Sequence, residues 1–163
     1  MLHIYTGDGK GKTTAATGLL IRALGSGKKC GYCTFLKDGS SSEFEVLKKL
    51  DNLIVFDSPE KMKFLWHMTE EEKEDLKKFY CENMKKILES DLELLVLDEA
   101  TDAVCAGILD EECIVELSQK AEVVVTGRGD CKKLFEIADY ITEVKKIKHP
   151  FDKGVKARKG IEY

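Results

Sequence analysis

No apolar stretch in these 163 residues approaches the ~20 needed to cross a bilayer. Nor does a basic segment and apolar signal core follow Met1, which leads at once into a strand-like run; a cytoplasmic protein with no membrane partner is expected. Tryptophan occurs once, as Trp66. Six cysteines, Cys30, Cys33, Cys81, Cys105, Cys113 and Cys131, are scattered, and no second C-x-x-C completes a zinc site. Cys30 and Cys33 lie three apart in a strand pattern and so face opposite sides of a sheet, which favours buried free thiols over a redox or metal role. A net charge of −4 and an ordinary apolar content argue against disorder and against wholesale nucleic-acid coating.

Against these absences, apolar runs alternate with helical patterns, the mark of a parallel sheet covered on both faces. The pattern predicts strands at 2–5, 30–36, 53–56, 92–97, 122–126 and 140–144, and helices at 13–25, 43–50, 70–89, 111–120 and 131–138. The length fits one α/β domain, 1–163, with about six strands. Thr69 and Glu72 form a capping box for the third helix, and Leu76, Phe79, Tyr80, Met84, Ile87 and Leu88 fall on one of its faces as core. Two unpatterned loops, 37–42 and 57–68, open at the carboxyl ends of strands, where open α/β sheets bind ligands.

The chemistry is concentrated near the start. Thr6-Gly7-Asp8-Gly9-Lys10-Gly11-Lys12-Thr13-Thr14 joins the first strand to the first helix. Such a turn gathers backbone N–H groups and a helix N-terminus around a polyphosphate, with Lys12 as a point charge and the Thr13 hydroxyl as a Mg²⁺ ligand. ATP is the ligand this points to. From Gly7 the loop reads G-x-x-x-G-K-T, one residue short of a Walker A loop, and it carries a second lysine, Lys10. Leu94-Leu95-Val96-Leu97-Asp98-Glu99 reads as a Walker B strand delivering carboxylates for Mg²⁺; adjacent residues on an extended chain point apart, so Asp98 and Glu99 should differ in role. Arg128, in a glycine turn after another buried strand, either reaches the phosphates or pairs with a surface acid. The basic ending, 145–163, interleaves apolar residues and glycines and should dock on the body of the protein; aromatics there are too sparse, beyond Phe151 and Tyr163, for a nucleic-acid stacking surface.

Taken together, the GDGKGKTT loop, LLVLDEA and KHPFDKGVKARKGIEY resemble the corrinoid adenosyltransferases of the CobA/BtuR type, over nearly the whole chain. The resemblance implies a P-loop NTPase-like three-layer fold and transfer of the 5′-deoxyadenosyl group of ATP to Co(I) of cob(I)alamin, with triphosphate released. It carries the phosphate-loop roles onto Gly7, Asp8, Gly9, Lys10, Gly11, Lys12 and Thr13, and the metal carboxylate onto Glu99. Phe64-Leu65-Trp66 matches the family's F-x-W pair in the corrinoid pocket, although Phe64 also suits an ordinary core. It further implies a homodimer and an electron-donating reductase, while the N-terminal extension of some members has no counterpart before Leu2. The alternative is a small nucleoside or nucleotide kinase, or a RecA-like ATPase with Glu99 activating water.

Overall fold

The computed structural model describes residues 1–163. In chain order the elements are β1 (Leu2–Thr6), α1 (Lys12–Gly25), β2 (Cys30–Thr34), α2 (Phe44–Leu47), β3 (Leu53–Val55), α3 (Glu70–Glu89), β4 (Leu94–Asp98), α4 (Ala100–Cys105), α5 (Glu111–Lys120), β5 (Glu122–Thr126), α6 (Lys132–Ile137) and β6 (Tyr140–Glu143). Short 3-10 turns lie at Leu65–His67 and Pro150–Lys153.

All five strand pairings are parallel, and the six strands lie in the order β3-β2-β4-β5-β1-β6. Because the strands run parallel, all their carboxyl ends fall on one edge, and register places Thr34 beside Asp98 there. Alternating side chains divide the core in two. On one face Ala16, Leu20 and Ala23 of α1 and Phe44 and Leu47 of α2 cover Cys30, Tyr32, Leu94, Val96 and Val124. On the other, residues of α3, α5 and α6 cover Leu2, Ile4, Cys33, Leu95, Leu97, Val123 and Val125. The result is the three-layer, P-loop NTPase-like α/β architecture. Cys30 and Cys33 are buried in opposite layers, as their spacing requires.

The capping box of α3 is present in both directions: the Glu72 N–H donates to the Thr69 hydroxyl, and the Glu72 carboxylate accepts from the Thr69 N–H. Elsewhere the ends differ from sequence expectation. The second strand stops at Thr34 because Leu36 takes a left-handed backbone, φ +55°. The helix expected over 43–50 contracts to Phe44–Leu47, since the N–H groups of Lys49 and Leu50 reach back only three residues. Helix α4 is an addition: its six residues, Ala100 to Cys105, are too short and too small-sided to give an amphipathic period.

Candidate active site

Between β1 and α1 the phosphate loop is clamped from outside by the chain leaving β6. The Gly9 N–H donates to the Val144 carbonyl (2.8 Å), the Val144 N–H donates to Thr6 O (2.8 Å), and the Asp8 carboxylate accepts the Lys146 N–H (2.9 Å). That last bond holds the Asp8 carboxyl below the usual carboxylate range. Gly7 sits at φ +104°, and a Cβ on it would lie 2.4 Å from the Val144 oxygen, so only glycine fits there. Gly11 precedes α1 without a side-chain cap, leaving first-turn N–H groups for a ligand. Lys12 lies buried against the loop, donating to the carbonyls of Gly7 (2.7 Å) and Gly9 (3.0 Å). Burial lowers its ammonium's affinity for the proton, as does the nearby Arg128 charge, against the pull of Glu99, Asp102 and Asp8.

Beside the loop, Asp98 ends β4 almost fully buried. Its Oδ1 accepts hydroxyl bonds from Thr13 (2.8 Å) and Thr126 (2.7 Å), and its Oδ2 accepts from Thr34 (3.4 Å) and from the Lys37 ammonium (2.7 Å). Glu99 follows in a left-handed conformation, φ +57°, which turns it away from Asp98's role and into the cavity; its Oε1 lies 3.4 Å from Lys37 Nζ. Burial pushes the Glu99 carboxyl up, opposed by Lys37 and reinforced by Asp98 and Asp102. Burial alone would depress Lys37, but Asp98 and Glu99 outweigh it and hold the ammonium above the usual lysine range.

One open cavity of about 1110 Å³ joins these groups. Asp8, Gly9, Lys10, Gly11, Lys12, Thr13, Thr14, Glu99 and Arg128 line it, together with the 37–42 and 57–68 loops and the end of the chain. Gly7 and Asp98 stand just behind the lining, acting through Lys12 and through Thr13 and Lys37. Arg128 makes no ion pair; its backbone N–H is held by Asp102 (2.7 Å). Phe64 and Trp66 stack with ring centroids 4.6 Å apart and 9° between planes. They are 66% and 74% exposed, which removes the core reading of Phe64. His3, by contrast, pairs with Glu122 and stacks on Tyr140, outside the cavity.

The tail docks across the cavity mouth. Glu162 accepts from Arg158 and lies 3.5 Å from Lys10, while the Tyr163 carbonyl accepts the Ser42 hydroxyl (3.1 Å). Arg158 holds the Glu162 carboxyl down, to about 2. No sequence motif singles out Lys37, Thr34, Thr126 or Glu162. Lys37 lies in the 37–42 loop at the carboxyl ends of strands, but a lysine in a polar loop carries no signal of a buried acid partner.

A two-lysine glycine loop between β1 and α1, an acid at the end of β4 bonded to that loop's Thr13, and a cavity at the carboxyl edge of a parallel sheet make a P-loop NTPase-like arrangement. The family described as "ATP:corrinoid adenosyltransferase BtuR/CobO/CobP" matches residues 1–163, and the chain belongs to it. The corrinoid adenosyltransferase of Escherichia coli (strain K12) is 32% identical over 180 residues, spanning 100% of this chain and 85% of the relative. "Corrinoid adenosyltransferase CobA" of Salmonella typhimurium (strain LT2) is 33% identical with the same coverage, and the Pseudomonas aeruginosa enzyme is 32% identical over 177 residues, 100% of this chain and 83% of the relative. The chain is thus a transferase of the ATP-dependent corrinoid-adenosylating class, which sets the kinase and ATPase alternative aside. No helix is long and apolar enough to cross a membrane.

Proposed function

We propose that this enzyme transfers the 5′-deoxyadenosyl group of ATP to cob(I)alamin with Mg²⁺ as cofactor. The observation that carries it is the single cavity lined both by the phosphate loop and by the stacked, exposed Phe64–Trp66 pair, which offers a flat apolar substrate a surface beside the nucleotide. The Co(I) electron pair forms the bond to C5′ of the ribose, and the C5′–O electrons leave with triphosphate. No general base is needed, because the substrate metal is itself the nucleophile.

The protein's task is then to bind, orient and stabilise the leaving group. The N-terminus of α1 and the amides of Asp8 and of Lys10 to Thr13 receive the phosphates, while the Gly9 N–H stays on the Val144 carbonyl. Lys12, now on the Gly7 and Gly9 carbonyls, and Lys10, now near Glu162, supply charge to the departing oxygens, and Arg128 is placed to add to it. The Thr13 hydroxyl and the Asp98 and Glu99 carboxylates form an all-oxygen donor set that fits a hard divalent cation, with water and phosphate completing its coordination. When bound, Mg²⁺ neutralises part of the triphosphate charge. Phe64 and Trp66 hold the corrinoid face and favour loss of its lower axial ligand before reduction.

The same reading has residues 1–163 act as one cytoplasmic domain, as a homodimer supplied with electrons by a reductase. The test is anaerobic incubation with ATP, Mg²⁺ and chemically reduced cobalamin: the visible spectrum should become that of an alkylated cobalamin. An unchanged corrinoid spectrum with ATP consumed contradicts the proposal.

A further inference from the structure

Lys37 stands where a metal ion would be expected to stand. Its Nζ lies 2.7 Å from Asp98 Oδ2 and 3.4 Å from Glu99 Oε1, while Asp98's other oxygen holds Thr13. The placement is built rather than incidental. Phe35 is fully buried and its N–H is bonded to the Asp98 carbonyl (2.9 Å); Leu36 N–H is bonded to the Tyr80 hydroxyl (2.9 Å). Only three non-glycine residues have positive φ, and two of them, Leu36 and Glu99, are the hinges that aim Lys37 and the Glu99 carboxylate at one another. Such conformations are strained for residues with a side chain and gather at functional sites.

We propose that Lys37 is a displaceable counter-cation of the metal site: its ammonium holds the Asp98–Glu99 pair until the divalent cation arrives, then passes to the triphosphate of the incoming nucleotide. The long, flexible lysine stem allows that move, and the cavity that Lys37 lines leads directly to Lys12 and the phosphate loop. A divalent cation on these carboxylates would repel the ammonium beside it, which favours exchange of one for the other. Lys37 is on this view a positioning residue, and the inference rests on the metal reading of Asp98 and Glu99 given above.

The test is Mn²⁺ binding to the nucleotide-free protein, followed by electron paramagnetic resonance, for the unaltered chain, Lys37→Met, Lys37→Arg and Glu99→Gln. Lys37→Met should tighten Mn²⁺ binding on the order of tenfold or more, because the competing charge is gone, and Lys37→Arg should remain near the parental affinity. A merely structural Lys37 would weaken metal binding when removed. Unchanged or weaker binding in Lys37→Met, with Glu99→Gln abolishing it, overturns the counter-cation role alone; Mn²⁺ binding indifferent to Glu99 overturns the metal reading with it. Should Lys37→Met fail to fold, the ammonium ¹H–¹⁵N signal of Lys37, assigned by its loss in Lys37→Arg, gives a second test. It should shift when Mg²⁺ alone is added, and constancy overturns the proposal.

Discussion

Thr13 and Asp98, 85 positions apart, meet at 2.8 Å across the carboxyl edge of the sheet, tying the start of α1 to the end of β4. Through this bond the phosphate loop and the acid strand become one site. Replacing Asp98 by Asn puts an amide N–H₂ among donors, against Lys37 or against the two threonines. Breaking a buried charge pair from one side costs about 3 kcal/mol at the lower end of the usual range, suited here to a partly exposed Lys37. Asp98→Asn should lower the melting temperature by roughly 6–12 °C, measured by calorimetry; a fall of under a degree would show that Lys37 and Asp98 are not paired.

Lys12→Ala should reduce turnover by about two orders of magnitude or more, since it removes a preorganised charge from a developing anion. Steady-state rates at saturating ATP and Mg²⁺ check this. A near-parental rate would place the triphosphate elsewhere.

Gly7→Ala should cost at least about 1–2 kcal/mol from the positive φ alone, and the contact 2.4 Å from Val144 O adds to it. Because Val144 also bonds Gly9, the loop must move, and ATP affinity measured by titration calorimetry should fall together with stability. Parental ATP affinity would mean that the clamp from β6 does not shape the loop.

Exposure separates the two roles open to Trp66. A core aromatic cut to alanine costs ~3–5 kcal/mol, whereas this stacked, exposed pair should cost about 1 kcal/mol or less. Trp66→Ala should therefore keep nearly its full melting temperature. It should slow the reaction started from cob(II)alamin and a weak reductant far more than the reaction started from cob(I)alamin. Equal losses in both would remove the pair from the corrinoid step.

Thiol reactivity follows burial. Burial pushes the thiols of Cys33 and Cys131 up to about 12, the latter with help from the neighbouring Cys105. At pH 8 about one part in ten thousand of each would be thiolate. Iodoacetamide at that pH should label exposed Cys81 on the native protein and reach Cys33 and Cys131 only after denaturation, as read by mass spectrometry. Sensitivity should grow as pH rises toward 12; rapid native labelling of Cys33 at pH 8 would contradict the fold around β2.

Most of this architecture is legible where one residue type has one physical use. The glycines and lysines of 7–13 mark the turn between β1 and α1, and Thr69 with Glu72 marks the start of α3. What the sequence hides is long-range or local-exception physics. Nothing near Gly9 indicates that Val144, at the far end of the chain, will accept its N–H. Apolar Phe35 and Leu36 extend a strand on paper, yet the left-handed Leu36 ends it and turns Lys37 toward two acids. Phe64 reads as core by composition and stands exposed because its partner is Trp66 in the same loop rather than a facing element.

The central claim is that ATP is cleaved at C5′ and not between phosphates. Phosphorus magnetic resonance of a single anaerobic turnover, with cob(I)alamin and ATP–Mg²⁺ in equal amounts, tests it most directly. Intact triphosphate should appear in step with adenosylcobalamin, with no ADP; ADP and inorganic phosphate, with the corrinoid left unalkylated, would contradict it.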